Sequence, residues 1–510
     1  MLPMPIKYGV KGYVLNFSYY FICLLIIGLS FYIFSSFNPA YFNSDQAIQA
    51  LMLKDFSWPA DSYFWGQNRL GSLLPLVSLP IYWLFHLHPI WILSIINHLM
   101  LVFSWFLISK HFNNLYGKIL LLIAIFLPHH TYHFILLVAH PYPQQLFCLA
   151  ISTHFFNSIS HILKSHKRLE TNGYSKLFYA HLFAILACWV SELSAVYFIF
   201  IGFYILYDKE IRDVLFLKHF KPTKQGFKII SFSFISILLG LFWILDLKHN
   251  MPSDPEYDKA FITSKEQIIN QFHFFSEQFW DIIFLRNHQS VYECLFYYAV
   301  FAFVGYIGIS DNKSNPTLRA LSQTLIVASI LLFFSSWNYR SKFDPKYFTL
   351  LYVYIFVYIG IAMNSFSSIS RLVIFTILGI LTIVSSLDIA IIKHKNLSIF
   401  IQYEKANTIE KGTLVANYWD AYKIAAIANT ELQAVSKDSW DRRNEHKRSN
   451  WINNKSYYFL KKEINCFNPN GDSLEFLNMY FIKSTNVFYI NQDTILEYNR
   501  LTNKKLIQFH

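Results

Sequence analysis

Long uncharged apolar runs alternate with short charged segments along most of the chain. Residues 12–37 and 119–160 contain no Asp, Glu, Lys or Arg, and such runs exceed the ~20 residues that cross a bilayer as a helix. The pattern predicts a mainly α-helical, polytopic transmembrane bundle of about 9 full spans plus a short helical hairpin. The predicted spans are 13–36, 89–109, 118–137, 142–162, 228–247, 291–310, 319–337, 347–366 and 372–392, with the hairpin at 177–206.

Two apolar segments do not fit a full crossing. Residues 71–87 contain Pro75 and Pro80, so we expect them to lie on the membrane surface or to re-enter it. The hairpin lies between two basic loops that must share a side of the membrane, so it is expected to turn back near Glu192. This turn would place an acidic side chain deep in the bilayer, at a break in the backbone.

The basic loops orient the bundle with its N-terminus in the cytoplasm. Residues 37–88 then form the first outer loop of a transmembrane catalytic domain that spans residues 1–392. Residues 393–510 are far more polar and are expected outside, as a small soluble α/β domain. Short alternating patterns predict strands at 413–416 and 487–490 and helices at 418–428 and 474–480.

Composition narrows the class of protein further. Only 15% of residues are charged, against ~25% in a soluble domain, which excludes a soluble enzyme, a secreted disulfide scaffold and a disordered chain. The net charge of +12 is explained by basic cytoplasmic loops, and no nucleic-acid partner is predicted. Five cysteines without CxxC spacing support neither a disulfide framework nor a zinc site.

The first outer loop carries an acid at a predicted helix start. Asn43 or Ser44 suits the N-cap of a helix that begins at Asp45, and Ile48 and Met52 place this acid on the apolar stripe. The helix dipole stabilises such a carboxylate by ~0.3–1 kcal/mol, and the anion can take a proton from a hydroxyl group. An ordinary capping acid is the alternative interpretation.

A polar turn follows in the same loop. Two glycines flank Gln67, Asn68 and Arg69, and aromatic residues that include Trp65 come just before them. Such a turn suits binding of a polar ligand, with an aromatic face for a sugar ring. The alternative is an interfacial aromatic belt followed by an ordinary turn.

Three cations occur in the short outer loop 337–347, namely Arg340, Lys342 and Lys346. Juxtamembrane cations contribute ~1 kcal/mol each toward an anionic headgroup, and Arg holds phosphate with two parallel hydrogen bonds. A lipid phosphate or pyrophosphate is therefore the expected partner. Snorkelling, or an ion pair with Asp344, is the alternative.

Four histidines cluster at the outer end of the third predicted span. No carboxylate or cysteine in that loop joins them, although metal-bound histidine usually has an orienting partner. A divalent metal is therefore possible but not favoured, and no cofactor is predicted. The histidines are His129, His130, His133 and His140.

Taken in order, these segments resemble the GT-C superfamily of integral-membrane glycosyltransferases. The chain is most similar to bacterial members related to protein O-mannosyltransferases and aminoarabinose transferases. The tail segment Ala416–Tyr422 is similar to a Tyr-Trp-x-Ala-Tyr pattern of some members. The other carrying segments are Ser44–Ala47, Phe64–Gln67, Gly71–Leu73, Trp189–Leu193 and Lys346–Tyr347.

The resemblance implies a polyprenyl-phosphate-linked sugar as donor, a catalytic aspartate at Asp45, and a basic outer loop that receives the departing phosphate. Two departures stand out: Lys346 replaces an arginine often found before Tyr347, and loop 128–141 lacks an acidic residue used by several relatives. The predicted substrate-binding residues are Gln46, Trp65, Gln67, Asn68, Arg69, Glu192, Arg340, Lys342, Lys346 and Tyr347.

The expected activity is inverting hexosyl transfer, with Asp45 as general base on an acceptor hydroxyl of a glycan, lipid or protein. It would take place at the outer face of a bacterial inner membrane, within the lipid bilayer. One alternative is a flippase or transporter of lipid-linked glycans, with Glu192 on its path, although no repeat of spans is evident. Another is an O-antigen polymerase or ligase, which would use the long loop 248–290.

Overall fold

The computed structural model describes most of the helical region and parts of the tail. The described residues are 10–36, 42–166, 168–217, 221–251, 261–262, 264–284, 291–309, 315–394, 409, 411–428, 431–436, 438, 456–460, 473–476, 479–490 and 493–500.

Helices dominate the described chain. In chain order they are α1 Val10–Phe34, α2 Ser44–Lys54, α3 Leu73–Phe85, α4 Pro89–Ser109, α5 Leu115–Phe126, α6 Tyr142–His166, α7 Thr171–Val190, α8 Val196–Tyr207, α9 Lys209–Leu215, α10 Lys224–His249, α11 Lys265–Ile283, α12 Val291–Ile309, α13 Pro316–Phe333, α14 Ser336–Arg340, α15 Thr349–Ala362, α16 Ser368–His394 and α17 Tyr418–Ile427. Short 3₁₀ helices occur at His130–Leu136, Glu192–Ala195, Pro345–Phe348 and Met363–Ser365.

Among the described residues, nine helical segments are long and apolar enough to cross a membrane. They are α1, α4, α6, α7, α10, α12, α13, α16 and the segment Pro345–Ser365 that includes α15. Many apolar side chains of α1 and α10 are exposed among the residues whose side chains are described, for example Leu24, Phe234 and Leu239. Such faces suit lipid contact, so the predicted polytopic architecture is confirmed.

The span predicted at 118–137 is broken. Helix α5 ends at Phe126, and the 3₁₀ helix His130–Leu136 continues at an angle of 85° to it. Pro128 lies in the break, where its missing N–H and fixed φ end the helix. The histidines that follow are therefore held in a bend at one end of the bundle.

The hairpin predicted at 177–206 does break at the expected place, between α7 and α8. However, α7 has 20 residues and is long enough to cross alone, so the prediction of two short helices is wrong for the first arm. Glu192 accordingly follows the end of a full-length helix rather than lying midway along one. The hydroxyl of Ser194 bonds the Ala187 carbonyl at 2.8 Å and accepts from Gln145 at 2.7 Å, which satisfies polar groups at the break.

The segments predicted at 71–87 and 248–290 each contain a helix that is not a candidate membrane span. The segment 71–87 forms the short apolar helix α3, which contains Pro80 and is not long enough to be a candidate span. The predicted loop 248–290 contains the amphipathic helix α11, which begins with a capping box between Ser264 and Gln267. Helix α11 packs near α14, since the Phe274 and Tyr339 ring centroids are 5.9 Å apart.

A close contact joins the first turn of α5 to the last turn of α15. A Cβ added to Gly117 would come within 3.1 Å of the Gly360 carbonyl oxygen, so these helices approach at small residues, as membrane helices often do. Nearby, the Asn114 amide donates to Asn364 Oδ1 at 2.8 Å. The contact holds the end of α15 against the start of α5.

The tail contains a six-stranded sheet in the order β2-β1-β3-β6-β5-β4. Strand β1 runs parallel to β2 and β3, and the other neighbours are antiparallel. The predicted helix at 474–480 is wrong: residues of this segment pair as β4 with the start of β5, and Leu474 lies opposite Phe481. The strands are β1 Lys411–Ala416, β2 Glu431–Ser436, β3 Ser456–Leu460, β4 Ser473–Phe476, β5 Met479–Ile490 and β6 Asp493–Arg500.

Helix α17 connects β1 to β2 and packs directly on α2. Ile48 on α2 and Tyr422 on α17 are fully buried in a shared core. At the end of α2, the Lys54 ammonium donates to the carbonyl oxygens of Ala428 at 2.5 Å and Ala425 at 3.3 Å. These hydrogen bonds join the end of α2 to the end of α17, so Lys54 links the tail to the first outer segment.

Candidate functional site

Asp45 lies in the first turn of α2, as predicted. The Asn43 side chain caps the helix and accepts a hydrogen bond from the Gln46 amide at 3.1 Å, so the capping function is carried by Asn43. Gln46 is buried, with only 1% of its surface exposed, whereas Asp45 is only partly buried. Of these two predicted site residues, Asp45 is therefore the more accessible.

The tail reaches Asp45 through the first turn of α17. The Tyr418 hydroxyl donates to Asp45 Oδ1 at 2.5 Å, and the Ser44 hydroxyl donates to the Trp419 carbonyl at 2.9 Å. Asn417 caps α17 and so fixes where the tyrosine begins the helix. The tail motif is therefore part of the surroundings of Asp45, which sequence reasoning did not assign to it.

His140 connects Asp45 to the basic loop electrostatically. Burial lowers the pKa of His140 to about 4, the carboxylate of Asp45 acts to raise it, and the ammonium of Lys346 acts to lower it. Both charges thus lie close enough to act on one imidazole. The acid of the first outer loop and a cation from the loop before α15 are therefore both within electrostatic range of His140.

Aromatic rings also link His140 to Lys346 of the basic loop. Phe134 lies with its ring centroid 4.9 Å from that of His140 and 5.8 Å from Lys346 Nζ. The Tyr142 hydroxyl donates to the Lys346 carbonyl at 3.2 Å, and the Tyr142 ring stacks on His140 at 5.8 Å. These contacts hold the His140 ring and the Lys346 backbone in fixed positions.

The basic loop forms a tight turn. Lys346 Nζ pairs with Asp344 at 2.7 Å, so the ion pair considered from the sequence does form. Lys342 and Phe343 have φ values of 51° and 64°, in the left-handed region that non-glycine residues adopt only at a cost. Arg340 and Lys342 are exposed, and the strained turn presents them on the protein surface beside Lys346.

The first outer loop contacts this turn through Trp337. The Arg69 guanidinium lies 5.9 Å from the Trp337 ring centroid, within cation–π range. Tyr347 packs edge-on against the same indole at 5.7 Å and lies 5.1 Å below Lys346 Nζ. Predicted binding residues from two distant segments, Arg69 and Tyr347, therefore share one aromatic neighbour.

The polar turn that carries Arg69 is well supported. Phe64 N–H donates to the Leu70 carbonyl at 2.8 Å, and Gly66 adopts φ 70°, which favours glycine. Trp65 is buried and donates from its indole to Asp61 at 2.7 Å, so its face is not free to stack a sugar as predicted. Gln67, Asn68 and Arg69 are each partly buried at the tip of the turn.

Glu192 lies beside this turn. Gly71 N–H donates to the carbonyls of Trp189 and Val190, and a Cβ on Gly71 would come within 2.8 Å of the Trp189 ring. Glu192 itself forms an ion pair with Lys248 at the end of α10. Lys248, which sequence reasoning did not single out, is also within electrostatic range of Arg69.

A cavity of about 340 Å³ lies elsewhere, among α4, α6, α8, α13 and α15. His111, Asn157, Tyr204 and Asn364 contribute its polar lining, and none of the predicted site residues lines it. The site around Asp45 is instead an arrangement of partly exposed polar groups beside the tail.

No family model matches the sequence, and no curated protein matches it significantly. Among solved structures, ArnT from Cupriavidus metallidurans bound to undecaprenyl phosphate has a TM-score of 0.58 and 9% identity, with 96% of this chain and 98% of that chain covered. The apo state of the same protein gives a TM-score of 0.55 and 10% identity over the same shares. AglB from Archaeoglobus fulgidus, an archaeal oligosaccharyltransferase, gives 0.43 and 10% over 87% and 70%.

At such low identity the likeness to ArnT defines the fold rather than the substrate. It extends over nearly the whole chain, from the helical bundle into the tail, as one continuous similarity. This polytopic chain has the GT-C fold.

Proposed function

We propose that the protein is a membrane glycosyltransferase that moves a hexose from a polyprenyl phosphate to an acceptor hydroxyl. The observation that carries the proposal is that Phe134 contacts both His140 and Lys346, while the charge of Asp45 also acts on His140. Glycosyl transfer from a lipid phosphate needs a base for the acceptor and a cation for the leaving phosphate. The ArnT structure with the same fold holds undecaprenyl phosphate, which supports this class of donor.

Asp45 is proposed as the general base. Its carboxylate accepts a hydrogen bond from Tyr418, and a carboxylate has the capacity to accept several hydrogen bonds, including one from the acceptor hydroxyl. Proton removal by a positioned base contributes ~10²–10⁴-fold. Attack on the anomeric carbon from the side opposite the phosphate forms the new glycosidic bond, breaks the sugar–phosphate bond and inverts the configuration.

The cations of the basic loop are proposed to stabilise the departing phosphate. Lys346 acts electrostatically on the same imidazole as Asp45, and Arg340 and Lys342 extend the positive surface from the same turn. Positive charge aimed at a developing anion is usually the largest catalytic contribution. Arg69, which contacts Trp337, and the neighbouring Gln67 and Asn68 are proposed to bind the sugar or its phosphate.

The proposed location is the outer face of a bacterial inner membrane, with a cytoplasmic N-terminus and the α/β tail on the outer side. The acceptor is a hydroxyl group of a glycan, a lipid or a protein. Because α17 packs against α2, the tail forms one wall of the acceptor side of the site.

The test is an assay of purified full-length protein in detergent with a panel of undecaprenyl-phosphate hexoses and a mixture of envelope acceptors. Release of undecaprenyl phosphate from one donor, with a glycosidic product of inverted anomeric configuration, supports the proposal. Retention of configuration contradicts it. Release of undecaprenyl phosphate by the wild type at the same rate as by an Asp45→Asn variant also contradicts it. Asp55→Asn, at the exposed end of the same helix, is the matched control.

A further inference from the structure

Three metal-ligating side chains meet at the bend between α5 and the 3₁₀ helix His130–Leu136. His129 and His130 come from the bend, and Glu293 comes from the first turn of α12. Their donor atoms all lie within 4.8 Å of one another, and His130 Nε2 directly contacts the Glu293 carboxylate. The sequence argument against a metal considered only the loop 128–141, whereas this carboxylate comes from a much later helix.

His129 gives an independent indication of a ligand. Its side chain is completely buried, with 0% of its surface exposed, and neither ring nitrogen has a hydrogen-bond partner in the described part of the chain. An unsatisfied buried polar group destabilises the folded state. The ring is stacked on Phe296 at 4.3 Å between centroids, so packing holds it in place. A metal bond to one nitrogen would remove this cost.

His130 is held in the orientation that a metal ligand needs. Its Nδ1 lies 2.8 Å from the Ser385 hydroxyl oxygen on α16. Donation from Nδ1–H to this oxygen selects the tautomer in which Nε2, on the side of Glu293, carries the lone pair that a metal ion would bind. Metal-binding histidines characteristically donate their second N–H to such a partner.

We propose that His129, His130 and Glu293 form a binding site for a divalent transition metal, with zinc as the best-matched ion. Two imidazoles and one carboxylate are a ligand set that zinc uses with a fourth position open; magnesium and calcium instead prefer oxygen ligands. The side chains of His130 and Glu293 are 29% and 13% exposed, which leaves an approach for the ion and a solvent ligand. The bound ion links the bend after α5 to α12.

This site does not depend on the proposed glycosyl transfer, so its test measures metal rather than activity. Purified full-length protein is stripped with a chelator, incubated with zinc, cobalt or manganese, desalted and analysed for bound metal and thermal stability. We expect one zinc ion per chain and a zinc-dependent rise in the unfolding temperature, because ligand binding to the folded state stabilises it. Cobalt should show the absorption of a four-coordinate site with nitrogen and oxygen ligands.

Variants separate this site from adventitious binding. Glu293→Gln and His129→Gln should lose stoichiometric zinc, and Ser385→Ala should weaken binding by ~10–100-fold through the orienting partner. His86→Gln removes an exposed histidine elsewhere and should bind zinc like the wild type. The proposal is overturned if the wild type binds no stoichiometric metal, or if folded Ser385→Ala and Glu293→Gln proteins both bind zinc as tightly as the wild type.

Discussion

The hydroxyl of Tyr418 donates a hydrogen bond of 2.5 Å to Asp45, across 373 positions of sequence. Through this bond the α/β tail contacts the acid that the proposed reaction uses as its base. Hydrogen bonds to ionised groups are roughly twice as strong as neutral ones. The tail is therefore part of the site and not a separate appendage.

Removal of this hydroxyl tests its effect on the base. In Tyr418→Phe, Asp45 loses a charge-assisted bond that orients its carboxylate, and we expect kcat to fall ~10–100-fold, in line with about 1.5–3 kcal/mol for such bonds. The measurement is steady-state turnover of the lipid-linked donor, with the donor KM little changed. Tyr422→Phe, one turn further along the same buried helix face, should keep at least half of the wild-type kcat; equal losses in the two variants would indicate a structural effect.

The cations of the basic loop should differ in importance. Because Lys346 is the one within electrostatic range of His140 together with Asp45, Lys346→Met should lower kcat by ~10²–10³-fold, the usual loss for an electrostatic contact to a developing anion. Lys346→Arg keeps the charge and should retain most of the activity. Lys342→Met, at an exposed position, should act mainly on donor KM. Equal kcat for Lys346→Met and the wild type would remove Lys346 from phosphate stabilisation.

His140 should remain neutral throughout the physiological range. Burial lowers its pKa to about 4 in the folded protein from 6.5, so the unfolded chain binds the proton first as the pH falls. The free energy of unfolding should therefore decrease between pH 6.5 and pH 4. We expect His140→Gln to show a smaller loss of thermal stability than the wild type over that window. Parallel curves for the two proteins would contradict the lowered pKa.

Lys54 should make the stability of the protein depend on pH in the alkaline range. Burial lowers its pKa from 10.5 to about 8, so between pH 8 and pH 10.5 the folded protein holds fewer protons than the unfolded chain. The contribution of Lys54 to the free energy of unfolding therefore rises as the pH increases from 8 to 10.5, and it is smallest below pH 8. The unfolding temperature of the wild type should rise relative to that of Lys54→Met as the pH increases from 8 to 10.

Lys54→Met also tests how the tail is attached. The variant loses donors to the Ala425 and Ala428 carbonyls, each worth ~0.5–1.5 kcal/mol or more. We expect faster proteolytic release of the tail at pH 7 while the transmembrane fragment stays intact. Lys411→Met, which removes an exposed ion pair with Glu431, is the matched control and should leave the cleavage rate unchanged.

Local patterns predicted the elements that depend on local physics. The apolar run at 89–109 became α4 with the same bounds, and the break after α7 falls beside Glu192 as expected. Alternation was too short to decide residues 474–480, where pairing with β5 made β4 a strand instead of a helix. Helix propensity is easily overridden by such tertiary pairing.

Contacts between segments that are far apart in the sequence could not be predicted from the spacing of residues along the chain. Asp45 was recognised from its helix start, but Tyr418 could be joined to it only by the docking of α17 on α2. Likewise, Glu293 joins the histidine pair only because α12 begins beside the bend after α5. In both cases the sequence contains the residues, and the packing of the fold brings them together.

The most direct test of Asp45 as the base is a comparison of kcat and donor affinity in Asp45→Asn and Asp55→Asn. The amide cannot accept the acceptor proton but keeps the shape of the side chain, so Asp45→Asn should lose ~10²–10⁴-fold in kcat with donor binding and unfolding temperature unchanged. Asp55→Asn should turn over like the wild type. Wild-type kcat in folded Asp45→Asn would show that another group removes the proton, and would contradict the mechanism proposed for this site.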